Sequence, residues 1–375
     1  MKVLHFYKTY RPDTYGGVEQ VIYQLANGST MLGVKTTVLT LTPRLLDDVI
    51  RINEHTVYRC HRNFQIASTD FSLSSICKFK ELASKADIIH YHFPWPFMDL
   101  VHFFNKIQKP TILTYHSDIV RQSILRKFYQ PIMNRFLKSI DAIVATSPNY
   151  LNSSKVLQKF REKVEVIPIG IDELEHKKPK NEKLIYWKKK LGDKYFLFIG
   201  VLRYYKGLHI LLEALSYFDF PMVIIGSGPH ENKLKLKAEK LGLKNIKFLG
   251  LLSEEDKKAV IALSYTVIFP SHLRSEAFGI SLLEASIYGK PMISCEIGTG
   301  TSYVNVDGVT GVIVPPSSPY KLHLAMSYLW NEQLKAEQMG RNAYQRYQKY
   351  FTSEKMCKKY LELYQKIINN KILYK

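Results

Sequence analysis

The chain has 375 residues, enough for two domains, and its 46% hydrophobic content supplies ample core with no segment disordered by composition. A formal charge of +20 points to an anionic partner (nucleic acid, acidic lipid or a phosphorylated substrate), or else to a lysine-rich solvated surface. No arginine-rich arm, zinc-finger spacing or base-stacking motif accompanies the charge, so nucleic acid is not the expected partner. Four scattered cysteines form no CxxC or Cys/His cluster, which fits reduced thiols. Lys8 and Arg11 come too early for a signal-peptide apolar region, and no run of about 18 apolar residues could span a membrane. The expected location is cytoplasmic.

Short apolar runs alternate with helical periodicity, the pattern of parallel sheets built from βα units. In chain order, KVLHFY, KTTVLTL, ADIIHYH, TILTYH, AIVATS and VEVIPIG read as strands. A polar, lysine-rich segment from Asp172 to Lys194 then interrupts the alternation and reads as a linker. The pattern resumes with YFLFIG, PMVIIGSG, NIKFLG, TVIFP and PMISC, and the chain closes on a lysine-rich helical stretch. The expectation is an α/β protein with doubly wound domains over residues 1–171 and 172–353. A helix over 354–375 is expected to pack back on the first of them.

Open parallel sheets bind ligands at the carboxyl ends of their strands. The strand-end candidates in the first half are Gly16, Gly17, His90, His92, His116, Asp118 and Ser147. In the second half they are Arg203, Lys206, Gly207, Gly226, Gly228 and the stretch RSEAFGISLLEASIYGKP, Arg274 to Pro291. Within that stretch Glu276 and Glu284 lie eight residues apart and flank a helix start at Gly279. A helix N-terminus favours phosphate through its free amides and dipole. Arg203 and Lys206 add the charge that a diphosphate needs. Eight residues of helix span about 12 Å, roughly the reach from sugar to ribose in a nucleotide-sugar. The stretch therefore reads as sugar at Glu276, phosphates at the helix start and ribose at Glu284. Each of these charges alone is an ordinary surface residue; their conjunction in this order carries the reading.

Three further signals are weaker. His90 and His92 share one face of a strand, a metal-like spacing, but no carboxylate or cysteine stands beside them and there is no Asp-x-Asp motif, so no metal is expected. Asp118 and Ser147 suit acceptor-side groups or helix caps equally. SDIVRQSILRKFYQPIMNRFLKSI sets Arg121, Arg126, Lys127, Arg135 and Lys138 among apolar residues. Such a basic amphipathic helix suits an anionic membrane surface, or equally a core helix with a solvated basic face.

Over essentially its whole length the chain resembles the retaining family 4 glycosyltransferases of the GT-B fold. The motifs that carry the resemblance are YGGVEQ, DIIHYHFPWPFMDL, TILTYHSDIVRQ, AIVATSPNYLNSS, VIPIGID, GVLRYYKGLHILLEAL, VIIGSGP and SEAFGISLLEA. The loop EIGTGTSYVNVDGVTGVIVPP departs from the commoner family form. It is similar to that of bacterial mannosyl- and rhamnosyltransferases that build O-antigen-type surface polysaccharides. The resemblance implies two Rossmann-like domains facing a central cleft, the first on the acceptor side and the second binding the nucleotide-sugar. Glu276 would contact the donor sugar and Glu284 the ribose. Arg203 and Lys206 would neutralise the diphosphate, helped by the amides of Phe278, Gly279 and Ile280. Gly17 would let backbone approach the phosphates from the other domain, and His116 would lie beside the donor sugar and the acceptor. Leu252 and Lys257 match the nucleobase platform. Only two residues separate Arg203 from Lys206, fewer than in many members.

The implied reaction is retaining, metal-independent hexose transfer with no cofactor, GDP-mannose being the expected donor. The implied acceptor is a lipid-linked saccharide at the inner face of the cytoplasmic membrane, where the protein would sit peripherally. On the front-face path usual for such enzymes the leaving phosphate oxygen takes the acceptor proton, and His116 orients the sugar or polarises the acceptor. The alternatives are a UDP-sugar-dependent transferase, an epimerase or phosphorylase on the same fold, and a basic RNA-binding module.

Overall fold

In the first of two units, Met1–Ile171 with Ser353–Lys375, the apolar runs become strands because helices cover both faces of a parallel sheet. The computed structural model describes residues 1–45, 47–66, 69–119, 123–176 and 178–373, without the side chains of 123–127. The strands of this unit are β1 (Lys2–Phe6), β2 (Lys35–Thr42), β3 (Asp48–Ile52), β4 (His55–His61), β5 (Phe64–Ile66), β6 (Thr69–Phe71), β7 (Ile88–Phe93), β8 (Thr111–Tyr115), β9 (Ala142–Ala145) and β10 (Val164–Val166). Eight of them form one sheet in the order β10-β9-β8-β7-β1-β2-β4-β3, parallel except for β3–β4. β5 and β6 pair separately. Strand order reverses between β1 and β7.

The C-terminal helix Ser353–Leu373 belongs to this unit. It buries Met356, Tyr360 and Tyr364, and Lys371 reaches Asp141 at 2.8 Å. Met356 sulfur accepts the amide of Gly170 at 3.2 Å.

The second unit, Asp172–Thr352, holds β11 (Phe196–Ile199), β12 (Met222–Ile225), β13 (Ile246–Gly250), β14 (Thr266–Phe269), β15 (Met292–Cys295) and β16 (Gly311–Val314). All are parallel, in the order β13-β12-β11-β14-β15-β16. Its core packs Phe196, Phe198, Ile224, Ile268 and Ile293 against Leu211, Leu215 and Met326 from the covering helices. Here the order reverses between β11 and β14. That reversal opens a crevice at the strand ends.

Several elements differ from the sequence expectation. Within the expected linker, Asn181–Leu191 is a helix that buries Trp187 and Leu191. Trp187 donates to Asp256 at 2.9 Å and Lys183 pairs with the same carboxylate at 2.8 Å, so the segment is anchored to the second unit. Its lysines hid the apolar spacing. β3 and β4 form a hairpin, and β3 is half exposed along its length. β5, β6 and β16 are three or four residues long. Runs that short leave little period to detect.

One backbone position ties the two strand-end loops of the second unit together. Gly207 has φ 72°, and a Cβ there would lie 1.9 Å from the carbonyl oxygen of Pro270, which follows β14. The left-handed conformation and the overlap both penalise a side chain. Gly207→Ala is expected to destabilise the second unit by about 3 kcal/mol, read from chemical denaturation. A loss below about 1 kcal/mol would show that the loops are not in close contact.

Candidate functional site

At the reversal in the second unit, the loops after β11 and β14 bring together residues far apart in sequence. After β11, Arg203 leads into a tight 3-10 turn, Tyr204–Lys206, that swings Lys206 back over the strand end. Its ammonium lies 2.5 Å from Glu276 Oε2 and 4.9 Å from the centre of the Phe269 ring. Only 12% and 11% of the two side chains are exposed. Burial opposes the charge of Lys206, but the Glu276 carboxylate prevails and holds its pKa above the ordinary lysine value. Ser271 donates its hydroxyl to the same carboxylate oxygen at 3.2 Å. His272 fastens the turn from the β14 side: its amide donates to the Tyr205 carbonyl at 3.0 Å. Its Nε2 donates to the Tyr204 carbonyl at 3.1 Å.

The loop then enters the helix Ile280–Ile287 through Gly279, whose φ of 91° puts it in the left-handed region. A Cβ at Gly279 would press on the Phe269 ring at 3.0 Å, so glycine keeps this helix start open. The amides of Ile280 and Ser281 have no acceptor within the helix, whereas that of Leu282 donates to the Gly279 carbonyl at 3.0 Å, and the dipole adds positive potential there. Phe278 turns its ring inward, 6.2 Å from Phe351. Glu284 sits about one turn inside the helix, where Lys257 Nζ reaches it at 3.1 Å. Lys257 also pairs with Glu254 at 2.9 Å. Burial opposes the charge of Lys257, but the two carboxylates raise its pKa. Leu252 is half-buried just ahead of the helix that carries Lys257.

Lys206 and Lys257 are thus each matched to a carboxylate. Arg203 is exposed and has no ion-pair partner among the described residues. It is therefore an uncompensated positive charge at this crevice.

In the first unit His116 follows β8 and ends a row of imidazoles. His92 Nδ1 lies 3.0 Å from His116 Nε2, and His92 Nε2 lies 3.0 Å from His5 Nδ1. Successive rings stack with centroids 5.3 Å apart. His90 stacks on His92 at 4.3 Å. Its ring nitrogens contact the Tyr364 hydroxyl and the Thr114 hydroxyl, each at 2.7 Å. Burial lowers the pKa of His5 and of His116 to about 3, and lowers His90 and His92 well below the usual range. All four rings are neutral. Nitrogens of His5, His90 and His92 lie within 4.8 Å of one another, a spacing that would also suit a metal. Hydrogen bonds occupy both nitrogens of His90 and of His92 and one nitrogen of His5.

The other strand-end candidates take local roles. Ser147 caps the helix Pro148–Ser153 by accepting the Tyr150 amide at 3.1 Å. Asp118 accepts from the hydroxyls of Tyr115 at 2.9 Å and Ser154 at 2.7 Å. Gly17 is the exposed first residue of the helix Gly17–Thr30. Arg121 and the side chains of Arg126 and Lys127 lie outside the described residues. Arg135 covers the Phe103 ring at 5.1 Å. Sequence reasoning missed His5 and His272. Their signals were a histidine on the strand beside His90, and a histidine four residues before Glu276 in the same loop.

Residues 177–346 match the family described as Glycosyl transferases group 1, and residues 15–173 match Glycosyltransferase Family 4. The chain is similar to the D-rhamnosyltransferase WbpZ of Pseudomonas aeruginosa, 55% identical over 353 residues, or 94% of this chain and 93% of that one. It is also similar to the O-antigen chain mannosyltransferase C of Escherichia coli, 46% identical over 373 residues, or 99% and 100% of the two chains. Among solved structures, sucrose-phosphate synthase from Thermosynechococcus elongatus superposes with a TM-score of 0.81 at 17% identity, over 98% of this chain and 99% of that one.

Proposed function

This chain belongs to the family 4 glycosyltransferases and has their GT-B fold, and we propose that it adds a manno-configured hexose to a saccharide acceptor in O-antigen synthesis. The donor is a nucleoside diphosphate sugar, GDP-mannose or its 6-deoxy counterpart. Relatives named for mannose and for D-rhamnose support the configuration, because D-rhamnose is mannose without its 6-hydroxyl. The observation that carries the reading is the Lys206–Glu276 pair at the β11/β14 reversal, beside the free charge of Arg203.

The chemistry follows from what a diphosphate does to that pair. Arg203 draws the anion in, and a phosphate oxygen then competes with Glu276 for the Lys206 ammonium. Once released, Glu276 accepts hydrogen bonds from the hexose hydroxyls, so one exchange both clamps the leaving group and holds the sugar. The amides at Phe278, Gly279 and Ile280 add donors for the phosphates. Glu284 takes the ribose hydroxyls in place of Lys257, with Leu252 and Lys257 near the base. As the bond from C1 to phosphate breaks, charge grows on the leaving oxygen, where two fixed cations and the helix dipole stabilise it. The acceptor oxygen bonds C1 from the same face and gives its proton to that phosphate oxygen, which yields retention. His116 orients the acceptor side as a neutral imidazole. No divalent cation is required.

The acceptor is proposed to be lipid-linked, with the protein bound reversibly to an anionic membrane. No helix among the described residues is long and apolar enough to cross a membrane. Supporting the surface reading, a groove of about 580 Å³ on the first unit is lined by Leu100, Phe103, Ile107 and Ile132 with Lys106 and Arg135. Phe104 and Phe128 are 66% and 77% exposed.

Arg203→Ala and Lys206→Ala should each lower turnover about 100-fold, the cost of losing one transition-state donor. Both should weaken GDP binding more than guanosine binding; near-normal kinetics in both would remove the clamp. Turnover of GDP-mannose should also persist in EDTA. Loss that magnesium or manganese restores would contradict the charge assignment.

For the membrane, the test is sedimentation with phosphatidylglycerol-containing vesicles. The triple change Phe104→Ser, Phe128→Ser and Arg135→Ser should lower binding about tenfold or more, mostly through lost apolar burial. Equal pelleting of variant and parent would place the contact surface elsewhere.

A further inference from the structure

We propose that His92 is a positioning residue that couples the tautomer of His116 to that of His5. The proposal rests on the reading of His116 as the acceptor-side group. Both ring nitrogens of His92 are spent on other imidazoles, at 3.0 Å on each side. The ring is fully buried, and burial keeps it neutral.

A neutral imidazole carries a single N–H, so His92 donates on one side and must accept on the other. The row is therefore polarised as a whole. In one state His5 Nδ1–H donates to His92 Nε2 and His92 Nδ1–H donates to His116 Nε2, which leaves the proton of His116 on Nδ1. In the other state His116 Nε2–H donates to His92 Nδ1 and His92 Nε2–H donates to His5 Nδ1, which leaves Nδ1 of His116 as a lone pair. Any mixed state sets two N–H groups or two lone pairs against each other in a dry interior, which burial without a partner penalises.

The surroundings hold the row in place. His90 stacks on His92 and is pinned by Tyr364 and Thr114, and Thr114 is itself 2.7 Å from the Tyr360 hydroxyl. Two tyrosines of the C-terminal helix thus lock the frame in which His92 lies. His116 Nδ1 has no protein partner among the described residues. That nitrogen is the one left for a ligand, and the direction of the row, carried through His92, sets whether it donates or accepts.

The test uses the full chain with ring-15N-labelled histidine, in which long-range H–N spectra show which nitrogen of each ring carries the proton. In the wild type, His5 and His92 should be protonated on the same ring nitrogen as His116, as both paired states require. In His92→Leu, His116 should relax toward the mixture of a free imidazole. His5→Phe should shift it as well, although His5 does not touch His116. An unchanged tautomer population of His116 in the variants overturns the proposal, and His5→Phe alone decides it if His92→Leu does not fold.

Activity is read as GDP released from GDP-mannose. His92→Leu should lower kcat about tenfold with the donor KM little changed. His92→Asn, whose amide replaces Nδ1 and either donates or accepts, should recover most of that loss. Equal kcat in wild type and His92→Leu overturns the coupling. Full activity in His116→Ala would instead remove the assigned role of His116 and leave the tautomer result standing by itself.

Discussion

A lysine ammonium held 2.5 Å from a carboxylate, with little of either side chain exposed, organises the strand ends at the order reversal of the second unit. Charges this far from water persist only when they are matched. Matching Lys206 to Glu276 requires the loops after β11 and β14 to run against each other. Gly207 permits that approach because it has no Cβ to strike Pro270, and His272 secures it by bonding two carbonyls of the Lys206 turn. Pair, glycine and histidine act as one device. An anion that can outbid Glu276 for Lys206 frees a carboxylate for hydroxyl recognition in the same event.

The first unit uses the same kind of topology for different chemistry. Its sheet also reverses order, between β1 and β7, and His5 and His92 come from those two strands. What gathers there is uncharged: four buried imidazoles whose hydrogen bonds replace the ion pairing of the second unit. Under the proposed function, this division suits glycosyl transfer. A leaving diphosphate needs fixed positive charge, whereas an acceptor hydroxyl needs a neutral group in the correct tautomer.

How much of this was legible beforehand depended on which physical signal each part leaves in a sequence. Strands such as FLFI and MVII are buried on both faces and read directly as apolar runs. The β3–β4 hairpin, half solvated, and the helix Asn181–Leu191, masked by lysines, did not. For the candidate site, strand-end logic singled out Arg203, Lys206, Glu276 and Glu284, since each follows or enters a predicted element. It could not show that Lys206 meets Glu276 and Lys257 meets Glu284. Those contacts depend on which strands are neighbours, and strand order is a tertiary property. His5 and His92 show the same limit, because 87 residues separate two rings in direct contact.

The most direct measurement is a crystal structure of the protein with GDP-mannose bound. The account predicts that Lys206 Nζ leaves Glu276 for a phosphate oxygen while Glu276 accepts hydrogen bonds from the hexose. An intact Lys206–Glu276 pair, with the diphosphate held by other groups, would contradict it.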